Sequence, residues 1–223
     1  MKRLSTTLAI LLVAAFAASP MLVQAQMGAP KEKSEVAKLI EAAMASNIRS
    51  ADERARDAKE RKPVETLEFF GLQPNMTVVE LMPSGGWYTK ILAPVLAEKG
   101  KLIVAVGGAR LAPKLLEWKL DKVEAQDGKF EFRPSGQYGV GEIDAMESPI
   151  TGADMVLTFR NMHNFTPAAR AKINATVFGM LKPGGIFGVV DHTRRHMEPG
   201  AVENWRRIDP VVVIQEASAA GFE

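Results

Sequence analysis

Short apolar runs recur along this chain at regular intervals, and helix-like stretches fall between most of them. Thr77–Leu81, Lys101–Val106, Phe130–Phe132, Met155–Phe159 and Ile186–Val190 each carry the Val, Ile, Leu and Phe content of a buried strand. The helical spacings lie at Tyr88–Glu98, Leu111–Val123 and Ala168–Leu181, the last opened by Thr166-Pro167 as cap and first residue. Strands recurring roughly every 25–30 residues with helices between them predict βαβ units and a parallel sheet. The expected fold class is α/β: a Rossmann-like three-layer sandwich with five mainly parallel strands.

Ahead of the first strand the pattern is helical. Val36, Leu39, Ile40, Ala43 and Met44 keep helical spacing. Ser50-Ala51-Asp52-Glu53 reads as a capping box opening a charged helix to Lys62, and Pro63 starts another that ends at Gly71. At the far end, Asp209-Pro210 caps a helix that Gly221 stops.

The first 25 residues follow different rules. Lys2 and Arg3 precede an unbroken apolar run of eleven residues, Leu8–Ala18, and Val23-Gln24-Ala25 offers a cleavage site. That layout predicts a secretory signal peptide over 1–25 and a periplasmic protein, because a membrane anchor needs about 20 apolar residues. Residues 26–62 then form a tether and helical extension, and 63–223 the α/β domain. Of the 28 Lys and Arg against 26 Asp and Glu, only Lys2 and Arg3 fall in the signal, so the mature chain is formally neutral. A neutral chain without a basic run has no electrostatic footprint for nucleic acid. With no cysteine, the chain carries no disulfide framework.

A parallel sheet binds ligands at the carboxyl ends of its strands. The segments there are Glu80-Leu81-Met82-Pro83-Ser84-Gly85-Gly86-Trp87-Tyr88 after the first strand and Arg160-Asn161-Met162-His163-Asn164 after the fourth. Asp191-His192 follows the fifth. These motifs, in this order, resemble class I S-adenosylmethionine-dependent methyltransferases, and most closely a group of predicted secreted ones. The resemblance covers Ser50 to the C-terminus. It implies S-adenosylmethionine as cofactor, a small-molecule substrate, and a cofactor site of Glu80, Met82, Pro83, Ser84, Gly85, Gly86, Trp87 and Asn161. It implies catalytic roles for His163, Asp191 and His192. A tight glycine turn lets backbone N–H groups approach an anionic ligand, so Gly86→Val is expected to abolish cofactor binding and spare the fold.

Two departures stand out. Met82 and Ser84 occupy the first two glycine positions of the general motif; if Ser84 needs positive φ, it costs about 1–2 kcal/mol more than glycine. No acidic residue for the ribose follows the second strand, where Val106-Gly107-Gly108 stands. Trp87 and Tyr88 either cover the cofactor or pack the helix start. His163 and His192 serve as bases or satisfy loop carbonyls. His192-x-x-x-His196 has zinc spacing, but Thr193-Arg194-Arg195 between the two is loop-like and basic, which disfavours a cation. The resemblance also implies a terminal antiparallel strand pair that this chain lacks, leaving the fifth strand as an edge open to homodimerisation. The alternative is a non-catalytic methyltransferase-like protein that binds a ligand or partner.

Overall fold

The computed structural model describes residues 32–199 and 206–223, of which residues 34–223 form one compact unit. The expected signal peptide and most of the tether lie outside the described residues. Five strands make one parallel sheet in the order β3-β2-β1-β6-β7: β1 is Thr77–Leu81, β2 Lys101–Ala105, β3 Glu124–Ala125, β6 Ala153–Phe159 and β7 Leu181–Val190. β1 is central, pairing Val79 with Ile103 of β2 on one side and with Val156 of β6 on the other. Strand order reverses between β1 and β6, so the ends of those two strands bound the crevice where open α/β sheets hold ligands.

Both sheet faces are covered. Val78 of β1, Leu102, Met155 and Leu157 face a layer built from α1 (Glu35–Met44), α3 (Pro63–Phe69) and α4 (Thr89–Leu96), with Ile40, Leu67, Ile91 and Leu92 fully buried. Val79, Leu81, Ile103 and Val156 face α6 (Pro167–Met180) through Ala169, Ile173 and Val177. Side chains alternate across a strand, so a doubly covered sheet needs apolar residues at successive positions. That is why these strands were legible as unbroken runs. α5 (Gly108–Glu117) closes the β2 end with Leu111 and Leu115.

The helix caps match the sequence. Ser50 and Glu53 form the capping box of α2 (Ala51–Arg56), and Thr166 accepts from Ala169 N at the start of α6. Asp209 caps α7 (Pro210–Ala219). The charged stretch to Lys62, expected as one helix, changes after Arg56 into a π-helical turn over Asp57–Arg61 and stops at Lys62 with φ 41°.

One strand assignment is corrected. The sheet's third strand is Glu124–Ala125; Phe130–Phe132 belongs to β4 (Phe130–Pro134), which pairs antiparallel with β5 (Gly141–Met146) in a separate ribbon. Phe-Glu-Phe alternates, which suits a half-exposed ribbon rather than a doubly buried strand. β3 was missed because it is two residues long and exposed.

Candidate functional site

The turn after β1 is built on three left-handed residues, Met82 (φ 57°), Ser84 (φ 52°) and Gly86 (φ 76°). Ser84 therefore does occupy a position that favours glycine. Ser84 and Gly85 are exposed while Pro83 and Gly86 are buried beneath them. A side chain on Gly85 would meet nothing within 4 Å, so the outer rim of the turn is open backbone.

At Gly86 the expectation that a substitution would spare the fold is corrected. A Cβ there would lie 2.8 Å from the Trp118 ring and 3.3 Å from Leu111. Its bareness admits Trp118, the residue just after α5, and Gly86→Val would disturb that packing instead of acting on a ligand alone.

Glu80 lies under the turn. It is buried, and its Oε2 accepts from the Thr89 hydroxyl at 2.5 Å, tying β1 to α4. Burial pushes its pKa up to about 8, against the opposing Thr89 hydrogen bond. The carboxyl is thus enclosed under the turn and held by Thr89. Trp87 lies against the N-terminal helical segment, with the Arg49 guanidinium 4.7 Å and the Arg61 guanidinium 4.5 Å from its ring centroid. Tyr88 stacks on Phe159 at 3.5 Å. Asn161 donates to Thr158 Oγ1 at 2.9 Å and to the carbonyls of Leu81 and Met82 at 3.4 Å, so it fastens the β6 end to the β1 turn.

At the β2 end the structure supplies a carboxylate that sequence reasoning missed. Asp127 Oδ1 accepts from Gly107 N (3.0 Å) and Gly108 N (2.9 Å), and Oδ2 from Ala109 N (2.9 Å), so Asp127 caps α5. The available signal was an acid two residues past β3, legible only once β3 is known.

Beyond β6 and β7 the two histidines come together, with ring centroids 5.6 Å apart. His163 sits in a 3₁₀ turn over Met162–Asn164, and Asp191 immediately follows β7. The Asp191 carboxylate accepts from His163 N at 3.1 Å and His192 N at 2.7 Å, and is hydrogen-bonded to His163 Nδ1. An accepting carboxylate places the imidazole proton on Nδ1 and leaves Nε2 with a lone pair. That Nε2 is buried and has no partner among the described residues.

His192 Nε2 accepts from Arg160 Nε at 2.8 Å, and burial followed by the charges of Arg160 and His163 lowers its pKa. His196 turns to Asp209 at 2.9 Å, away from His192. His163 lines a cavity of 220 Å³ with Arg194 and Arg207; His192 lines another, of 360 Å³, with Arg61 and Arg160. A third, 680 Å³ and mainly apolar, runs along β7 toward α7.

No family model matches the chain. An uncharacterised methyltransferase of Synechocystis is 28% identical over 125 residues, which are 56% of this chain and 51% of the relative. This chain thus spans about half the length of the curated relative it matches. Among solved structures, an S-adenosylmethionine-dependent methyltransferase from Aquifex aeolicus superposes with a TM-score of 0.58 over 86% of this chain and 90% of its own, at 16% identity. The chain has the class I methyltransferase fold.

Other chains with this fold show its range. Human N-acetylserotonin methyltransferase in complex with S-adenosylmethionine matches at TM-score 0.51 and 14% identity over 84% of this chain and 51% of its own. The [4+2]-cyclase SpnF matches at 0.53 and 16% over 84% and 68%. Within the methyltransferase fold, the reversal of strand order places the open turn at Ser84-Gly85 and the Asp191–His163 pair on the same sheet edge.

Proposed function

We propose that this protein is an exported S-adenosylmethionine-dependent methyltransferase acting on a small molecule, with His163 as general base. The observation that carries the proposal is the Asp191–His163 pair, whose geometry leaves one imidazole nitrogen buried, unpaired and basic at the sheet edge. The cofactor fits the residues present: the exposed backbone at Ser84 and Gly85 leaves room for its carboxylate, and Asp127 stands at the β2 end where the ribose hydroxyls need an acceptor. Bound there, S-adenosylmethionine supplies an electrophilic methyl group.

The chain's own residues do the rest. His163 Nε2 takes the proton of the acceptor hydroxyl or amine, and Asp191 stabilises the resulting imidazolium. Burial, then the charge of Arg160, disfavours the charged form of His192, which limits competing positive charge beside that imidazolium. Holding two reactants in line is itself worth several kcal/mol of barrier, and a positioned base adds roughly 10²–10⁴-fold.

Export rests on the signal-like residues 1–25; expression in a Gram-negative host should yield periplasmic protein beginning at Gln26, read by intact mass. Self-association through the outer edge of β7 belongs to the same proposal.

A second reading, a ligand-binding protein without catalysis, is favoured by Trp118 against the back of the turn at Gly86 and by the three amides that already engage Asp127. Calorimetry with S-adenosylmethionine separates the two. The enzyme reading expects binding by the purified protein and release of S-adenosylhomocysteine with phenol or amine acceptors. His163→Gln should keep cofactor affinity within about twofold and slow turnover by roughly 10²–10⁴. Absence of cofactor binding would leave the scaffold reading.

A further inference from the structure

The cavity on the His192 side of the dyad has a character of its own. Its walls are apolar and aromatic: Phe159, Val190 and Tyr88 line it, with Tyr88 stacked on Phe159 at an interplanar angle of 9°. Into this setting the fold brings two guanidiniums, Arg61 from the π-helical turn and Arg160 from the end of β6.

Neither arginine has a carboxylate within ion-pair distance among the described residues. Glu60 also lines the cavity and its charge reaches both arginines, but its Oε2 is engaged by Arg56 Nε at 2.7 Å. Arg61 is half-buried, its Nε makes no hydrogen bond, and burial together with the charge of Arg160 works against its own charge. Arg160 spends Nε on His192, and its terminal nitrogens have no partner among the described residues. It also holds a left-handed backbone, φ 64°, that glycine would adopt without cost. The two guanidiniums repel each other across the cavity, and an anion between them offsets that repulsion. A guanidinium matches a carboxylate through paired parallel hydrogen bonds, and 360 Å³ suits a small molecule.

We propose that this cavity binds a small aromatic carboxylic acid, the carboxylate held by Arg61 and Arg160 and the ring received by Phe159, Tyr88 and Val190. As methyl acceptor, a role that rests on the methyltransferase reading above, such an acid keeps its carboxylate here and reaches with its hydroxyl past His192 to His163, whose ring centroid is 5.6 Å from that of His192.

Benzoate and its neutral counterpart benzamide are the probes, titrated into the purified ¹⁵N-labelled protein and followed by amide shifts. Benzoate should bind with a Kd of about 1 mM or tighter, and benzamide at least about tenfold more weakly. Arg61→Gln and Arg160→Gln should each weaken benzoate about tenfold or more, while Arg133→Gln, on the exposed β4–β5 ribbon, should not. Arg160→Lys should recover part of the loss, which a merely misfolded variant would not.

Equal binding of benzoate and benzamide, indifference to both arginine substitutions, or no shifts up to about 20 mM would overturn the site. Displacement of benzoate by S-adenosylhomocysteine would assign the arginine pair to the cofactor's own carboxylate and end the acceptor proposal. If S-adenosylhomocysteine does not bind but benzoate does, the methyltransferase reading fails and the acid site stands.

Discussion

Glu80 illustrates how far burial can change one residue's chemistry. Its ordinary pKa is near 4.3, and in the folded protein it rises to about 8 because the carboxyl is enclosed beneath the β1 turn. Below about pH 4 the carboxyl is protonated folded and unfolded alike, so it costs nothing. As pH climbs from there toward 8, the unfolded chain releases a proton that the folded chain retains, and stability falls. The slope from this group is at most about 1.4 kcal/mol per pH unit. Glu80→Gln removes the group, so the urea midpoint of the variant should gain on that of the parent between pH 5 and pH 8. Parallel midpoints would mean that Glu80 is ionised in the fold. Ser84 shows the opposite case: its left-handed φ is a local backbone demand that the motif comparison anticipated.

At the scale of elements, β7 shapes the outer border of the molecule. It pairs with β6 along one side, while its other side carries no strand among the described residues. Beside it lies the 680 Å³ apolar groove, and Phe69, Ile186 and Ile214 are exposed there. An apolar edge strand offers unpaired donors and acceptors to another chain. A second copy presenting the same ten-residue strand is the matching occupant. Sedimentation of the purified protein should show dimers, and Ile186→Lys should return it to monomers without lowering its melting temperature by more than a few degrees. A parent protein that stays monomeric at high concentration would remove the edge-pairing proposal.

Over the whole molecule, a buried ion pair braces the N-terminal helical segment. Arg49 meets both oxygens of Asp57 at 2.7 Å, its side chain has no exposure, and its guanidinium lies against Trp87 beside the turn after β1. Removing one partner of such a pair strands a charge and typically costs about 3–5 kcal/mol. Asp57→Ala should therefore lower unfolding stability by that amount, measured in urea. Replacing Arg49 with Met in the same chain should restore much of the loss. If Asp57→Ala is nearly silent, the pair does not brace the N-terminal helices.

Much of this architecture was legible in the residues themselves. β1, β2 and β6 announced themselves because a strand covered on both faces is apolar at most successive positions, and β7 through the shorter apolar run at its end, Ile186–Val190. Ser50, Thr166 and Asp209 marked helix starts because an orphaned N–H needs a short side-chain acceptor. Loops at strand ends placed His163, Asp191 and His192 on one edge through topology alone. Three outcomes depended on tertiary structure. β3 pairs through its backbone and carries no apolar signal; Glu80 turns inward to Thr89; Gly86 stays bare for Trp118, a residue 32 positions away. The clamp of Arg61 and Arg160 joins residues 99 apart in sequence. Local patterns encode which face a residue prefers, because that preference is decided by neighbours a few positions away. Which distant group it meets there is decided only when the layers close.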